Sequence, residues 1–230
     1  MAKQIQWKWP QEYGEEKFVI LFGGLHIEMV ALKTVGDWLQ GSGWVQALVQ
    51  AEITSAWTAD SFLRASHVSR TRRVHQVTAA ALFTLQQHDY NHYIDQLGDA
   101  GTEELEFADW CQQKAETCPQ FQYCATVLQL ELTVLVYVRS LLQASFAMYV
   151  DALRELAVWF HALDHTNYAL WIPVHLRDIV ELPTTHPEIA KEFRAGNFTV
   201  QKTNRPFSAI PVDQAHEQNN AAIKGDNKVQ

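Results

Sequence analysis

The run from Phe121 to Leu141 is apolar on nearly every side, and it constrains the fold more than any other stretch. Val127, Leu128, Leu130, Leu132, Val134, Leu135, Val136, Val138 and Leu141 follow one another with few polar interruptions. Its β-branched residues suit a buried strand, but its length exceeds that of an ordinary strand and points to a helix. Pro119 stands just before it, where a helix start tolerates proline. A helix without a polar face is surrounded by neighbours, so the run predicts the interior of a helical bundle. The most apolar part, Ala125 to Val138, is broken by Gln129 and Glu131 and falls short of the roughly 20 residues a bilayer requires. Glu131 is then a carboxylate in an apolar setting, which must either rise in pKa or find a partner.

Composition supports a folded, core-forming chain. Of 230 residues, 47% are hydrophobic and only 19% charged, which excludes a disordered tail and a coiled coil. The formal charge is -8, and that argues against a wholly cationic nucleic-acid binder. Most of the excess lies in one stretch, Asp95 to Glu116, where seven acidic residues face Lys114 alone. Three cysteines, Cys111, Cys118 and Cys124, match neither a secretory disulfide pattern nor a paired zinc knuckle. With no apolar segment at the N-terminus, a soluble intracellular protein without membrane association is expected, nucleus and cytoplasm being left open.

Local signals divide the rest. Lys17 to Gly23, KFVILFG, reads as a buried strand ending at two glycines. Leu25, Met29, Leu32, Val35 and Leu39 then form one helical face, closed by Gly41 and Gly43. Thr58 is expected to cap a short helix over 59–65, and a long helix spans about Ser69 to Leu97, with Gly98 and Gly101 after it. Ser145 is placed to cap the next helix, and Trp171 to Leu182 follows, with Pro173 near its start and Pro183 at its end. Thr185 and Glu188 form a capping-box pattern for a helix that Gly196 ends. Phe198 to Lys202 reads as a second short strand and Asp213 to Lys224 as a last helix. The predicted fold is mainly α: a large helical bundle with one or two short peripheral strands. Three regions are expected: 1–44 packing on the core, 45–183 as the bundle, and 184–230 as a capped helix, short strand and polar helix.

Several constellations carry potential chemistry. His26 opens a helix right after a strand end, where α/β proteins place ligand-handling groups. Asp213 and Glu217 are four apart and share a helical face; paired carboxylates of that kind serve magnesium sites when others converge on them. Arg64, His67, Arg70, Arg72, Arg73 and His75 make the one basic cluster, fit to meet DNA phosphates or to offset the 95–116 stretch within the protein or in a self-associated form. His88 with His92, and His161 with His165, have the spacing of a two-ligand metal face but no third ligand in sequence.

Three segments, FGGLHIEMVALKTVGDWLQGSGW, HTNYALWIPVHLRDI and HPEIAKEFRAGNFTVQKTNRPFSAIPVDQAHEQNN, resemble uncharacterised, mobile-element-derived proteins abundant in fish and invertebrate genomes. More distantly, the chain is similar to cut-and-paste transposases with an RNase H-like core. Those carry a strand ending in Asp or Cys, two residues and then His, followed by a helical insertion and a late catalytic Glu. The resemblance implies that Gly23-Gly24-Leu25-His26 is the strand-end motif, residues 45–165 the insertion and Glu217 the late glutamate, with Asp213 beside it. Gly23 stands where the acidic or Cys residue belongs. With only 16 residues before Lys17, the expected product is a partial RNase H-like core, catalytically incomplete, using Mg2+ only in a longer chain. This reading expects His26 close to Glu217 and the 17–23 and 198–202 strands side by side. A helical interaction domain without catalysis, presenting Trp-rich apolar surface, is the alternative. A metal hydrolase built on the histidine pairs is a third reading.

Overall fold

The computed structural model describes residues 2–97 and 104–226, with side chains to residue 221. Gly98, Asp99, Gly101 and Glu103 lie outside the described residues. Among those described there are twelve helices and one two-stranded sheet. The helices before the sheet are α1 (Ala2–Lys8), α2 (Pro10–Tyr13), α3 (Gly24–Leu39), α4 (Trp44–Gln50), α5 (Ala56–Leu63) and α6 (Val68–Leu97), then α7 (Phe107–Thr117), α8 (Pro119–Leu142), α9 (Phe146–Ala162), α10 (Thr166–Thr185) and α11 (Pro187–Arg194). Strands β1 (Thr199–Gln201) and β2 (Ala209–Pro211) follow, and α12 (Val212–Asp226) comes last. The mainly α fold with short strands is therefore the observed one.

The chain forms two compact units, Met1–Thr34 with Val136–Gln230, and Val35–Leu135. These limits differ from a division at 44/45 and 183/184, because the boundaries fall inside the long helices α3 and α8 rather than at glycine turns.

In the first unit, α9 places Tyr149, Leu153, Leu156 and Phe160 at three- and four-residue spacing, and all four are buried. Helix α10 packs along α9 and contributes Ile172 and Leu182 to the core. It starts at Thr166, earlier than expected, and carries Pro173 and Pro183 inside it. Helix α11 begins at Pro187, but its N-cap is His186; among the described residues no side chain caps it, so the Thr185–Glu188 box does not form. Thr185 instead donates to the Glu181 carbonyl within α10. Gly196 ends α11 with φ +98°, and a Cβ there would press on Ala144, so the glycine is required twice over. Strand β1 pairs antiparallel with β2, Val200 facing Ile210. The 17–23 segment is not a strand. Apolar β-rich composition marks burial and fit, but a strand also needs a neighbour, and β1 and β2 take each other.

In the second unit, Ser55 rather than Thr58 caps α5, accepting from the Thr58 N–H. The core gathers Leu39, Trp44, Phe62, Val74, Trp110, Val127 and Leu130. Trp110 sits among aromatic rings, 5.4 Å from both Tyr90 and Phe121 between centroids. The part of α8 in this unit is less surrounded than its composition suggests: Leu132 is exposed, as is the polar Gln129 one turn before it. By length and composition alone this 24-residue helix is apolar enough to cross a membrane, and half of its most apolar window is buried inside the protein.

Candidate functional site

The candidate site lies in the first unit, where the start of α3 meets the start of α12. Gly23 and Gly24 bring the chain into α3, and the Gly23 carbonyl accepts from the Ile27 N–H. The free N–H groups of this first turn need an acceptor. Asp213, 187 residues away in sequence from His26, supplies it. Its Oδ1 accepts from the Leu25 N–H at 3.1 Å and its Oδ2 from the His26 N–H at 3.2 Å. The His26 ring completes the clasp, Nδ1 to Asp213 Oδ2 at 2.8 Å. A Cβ on Gly23 would run into the Asp213 carboxylate, so the residue at this position has to be glycine for the clasp to close. Glu217 lies one turn further along α12, its Oε1 3.8 Å from His26 Nε2.

His26, Asp213 and Glu217 are thus brought together, His26 standing between two carboxylates. Burial pushes the Asp213 carboxyl up, but the bonds from the His26 ring and from the two backbone N–H groups outweigh it and hold the group below its usual value. Two cavities open beside the clasp. One of about 440 Å³ is lined by Phe22, His26, Asn167, Tyr168 and Trp171 among others. The other, about 240 Å³, is lined by Leu21, Tyr149, Phe198, Asp213 and His216 among others.

This donor set does not fit a divalent cation. Asp213 already spends its oxygens on three donors, and His26 presents Nδ1 toward it. Magnesium demands octahedral oxygen ligation, and that leaves Glu217 alone to provide it. Among the described residues, no group of three or more His, Cys, Asp or Glu side chains converges as a metal site. His92 is instead bonded to Gln96.

The arginines lie in the second unit. Arg64 ends α5 and pairs with Asp60. Arg70 and Arg73 are exposed in the first turns of α6, Arg72 is half-buried, and His75 leaves the basic face altogether because its side chain is fully buried. His75 Nδ1 lies 2.8 Å from Glu131 Oε1, which gives the carboxylate of α8 its partner.

Residues 99–225 match the family described as a domain of unknown function (DUF8702). The chain belongs to that family. The DUF8702 segment carries Asp213 and Glu217, whereas His26 and the four arginines precede it. No curated protein and no solved structure matches this DUF8702 chain.

Three clusters were not legible from spacing. Lys3 is buried between Asp178 at 2.6 Å and Glu15 at 2.8 Å, and Arg177 reaches Glu15 at 3.0 Å. The Lys3 hydrogen bond leads in holding the Glu15 carboxyl down to about 2. His175 is buried on α10, with Nε2 3.0 Å from the Tyr149 hydroxyl and its ring stacked on Phe22 at 4.7 Å. Burial drops the His175 pKa to about 4. The third is the His75–Glu131 pair. Its one signal was Glu131, which announced a partner without naming it.

Proposed function

We propose that this DUF8702 chain is a mobile-element-derived protein related to transposase cores and catalytically incomplete on its own side chains. The supporting observation is the meeting of His26 with Asp213, 187 positions away in sequence, and with Glu217, the histidine and late acidic helix that the resemblance pairs, although no strand leads into His26. The incompleteness follows from the chemistry of the cluster. Two-metal phosphoryl transfer needs several free carboxylates, and here Asp213 serves as the cap of α3. In this reading the clasp holds α12 against α3, and Arg70 and Arg73 meet DNA phosphates.

The experiment has two arms. Supercoiled plasmid incubated with the protein and Mg2+ should stay intact; nicking that disappears in Glu217→Gln would sink the incompleteness. The genomic reading frame upstream of Met1 should encode an Asp-bearing, β-rich segment, and its absence there would remove the transposase relationship. For the DNA contact, replacing Arg70 and Arg73 by Ala should reduce the salt dependence of binding by about two units of slope.

A helical interaction domain without catalysis is the second reading. It is favoured by large apolar side chains left in solvent, Trp57 at 80% exposure in one unit and Val158, Leu170 and Val180 in the other.

A further inference from the structure

The cavity of about 440 Å³ beside the clasp falls within the roughly 300–1,000 Å³ of small-molecule sites. Three aromatic side chains, Phe22, Tyr168 and Trp171, line it, and Leu21 and Ile27 add apolar wall. Each of the three is anchored against a second ring that does not line the cavity. Phe22 stacks on His175 at 4.7 Å, Tyr168 lies 5.7 Å from Phe160, and Trp171 lies 5.8 Å from Trp7.

The charges around this space are negative on balance. Lys3 reaches the lining, but its ammonium is engaged by Asp178 at 2.6 Å and Glu15 at 2.8 Å. His26 stands between Asp213 and Glu217. The Asp213 carboxyl, held below its usual value, is ionised near neutrality and only accepts, so the 2.8 Å bond places a proton on His26 Nδ1. With Nε2 bare, the two carboxylates face no positive charge; with both ring nitrogens protonated, they still outnumber it. Their field reaches the cavity wall. Burial first, and the Asp213 carboxylate second, push the Tyr168 hydroxyl up. A field that opposes a phenolate at this wall favours a cation beside it.

The walls narrow the kind of cation. An aromatic ring presents a negative face, and a cation within about 6 Å of its centroid is attracted to it. A hard metal ion needs a shell of oxygen ligands, which aromatic walls do not supply. A primary ammonium carries three donors, each wanting an acceptor. An alkylated ammonium carries few or none, and its methyl groups gain from the same apolar walls. The side-chain amide of Asn167 also lines the cavity, exposed and without a hydrogen bond among the described residues, and is placed to hold a polar tail. We infer that this cavity binds a small alkylated ammonium ion of the choline type, its charged head among Phe22, Tyr168 and Trp171 and its polar tail at Asn167. This binding is independent of the mobile-element reading and stands or falls separately from it.

Calorimetric titration and proton NMR on the full chain, with choline as the probe, test it. Choline should bind saturably at one site, about tenfold more tightly than 3,3-dimethylbutan-1-ol, which has the same shape and no charge. The methyl resonance of choline should move upfield on binding, through the ring currents of the three aromatic walls. Trp171→Leu, which keeps an apolar wall, should weaken choline about tenfold and the neutral alcohol by about twofold at most. The comparison of the two ligands needs no variant, so it decides the question even where Trp171→Leu does not fold. Equal affinities for the two would make the cavity merely apolar and overturn the inference, as would no binding of choline up to about 50 mM. Choline binding without the upfield shift, lost in Glu217→Gln and kept in Trp171→Leu, would assign the cation to surface carboxylates and overturn it equally.

Discussion

Each compact unit buries one histidine, stacks it on an aromatic ring, and leaves one ring nitrogen without a partner among the described residues, yet the two are bonded to different chemistry. In the unit of residues 1–34 and 136–230, His175 stacks on Phe22 and bonds to the Tyr149 hydroxyl. In the unit of residues 35–135, His75 stacks on Trp44 at 5.5 Å and bonds to the Glu131 carboxylate. The unpartnered atoms are His175 Nδ1 and, in the other unit, both His75 Nε2 and Glu131 Oε2. A phenol offers no charge to stabilise an imidazolium, so burial decides, and His175 stays neutral to about pH 4. A carboxylate brings a second titrating group into the same dry space. Burial pushes the Glu131 carboxyl up, and His75 opposes that only in part. A similar burial of one ring therefore accompanies a histidine that resists protonation in one unit and a carboxyl pushed up by burial in the other.

The largest break in this contrast comes from His75→Ala. It strands Glu131, whose side chain has no exposure, and should cost about 3–5 kcal/mol in urea unfolding. Replacing His75 and Glu131 together by Leu should recover most of that loss, because two apolar side chains carry no desolvation penalty. A double variant as unstable as the single one would mean that the pair does more than neutralise itself.

The pH dependence comes next. His175 has a folded pKa depressed to about 4, below its ordinary 6.5. Its contribution is present above the ordinary value and is lost as pH falls, because the unfolded chain takes up the proton first. Between pH 6.5 and 4 this should amount to roughly 3 kcal/mol, read as a shift of the urea midpoint, and His175→Phe should flatten that part of the profile. Glu131 has the opposite sign. Its raised folded pKa gives a contribution present below the ordinary carboxyl value and lost as pH rises through the folded one. Glu131→Gln, which keeps an acceptor for His75, should remove that loss.

Smaller still is Tyr149→Phe. It leaves His175 Nε2 buried without its partner and should cost about 1–3 kcal/mol, with no new pH dependence near neutrality.

The same contrast explains what was legible in the sequence. Helices α6 and α8 were, because long periodic or apolar runs admit few alternatives, and Pro119, Pro187 and Gly196 punctuate the chain where expected. Glu131 announced a need for a partner; only folding could bring His75, 56 positions away, to meet it. His175 announced nothing, since a histidine beside Arg177 and Asp178 reads as surface until α9 covers it. The segment 17–23 misled for a related reason. Val, Ile, Leu and Phe describe a residue that wants a sheet, and the sheet itself depends on a second segment. At the candidate site, His26 was singled out by its place at a helix start and Asp213 with Glu217 by their spacing, but only the resemblance joined the two segments, and Asp213 acquired a role, the cap of α3, that its place on α12 could not suggest.

That cap allows the smallest and most local prediction. Asp213 satisfies two backbone donors of α3 and the His26 ring, and it places negative charge at the positive end of the helix. Asp213→Ala removes all three bonds, but solvent reaches His26, whose side chain is 54% exposed, so water replaces part of what is lost. The cost should be about 1 kcal/mol, the usual value of a helix N-cap. Asp213→Asn should cost less, since an amide oxygen still accepts from the backbone. The sign with pH is fixed by the depressed carboxyl: its contribution is present above the ordinary Asp value and fades as pH falls through the lower folded one. The wild type and Asp213→Asn should therefore converge in stability toward pH 3 and separate above pH 5. Curves that stay parallel across that range would show that Asp213 acts through shape alone, and that the clasp between α3 and α12 owes nothing to charge.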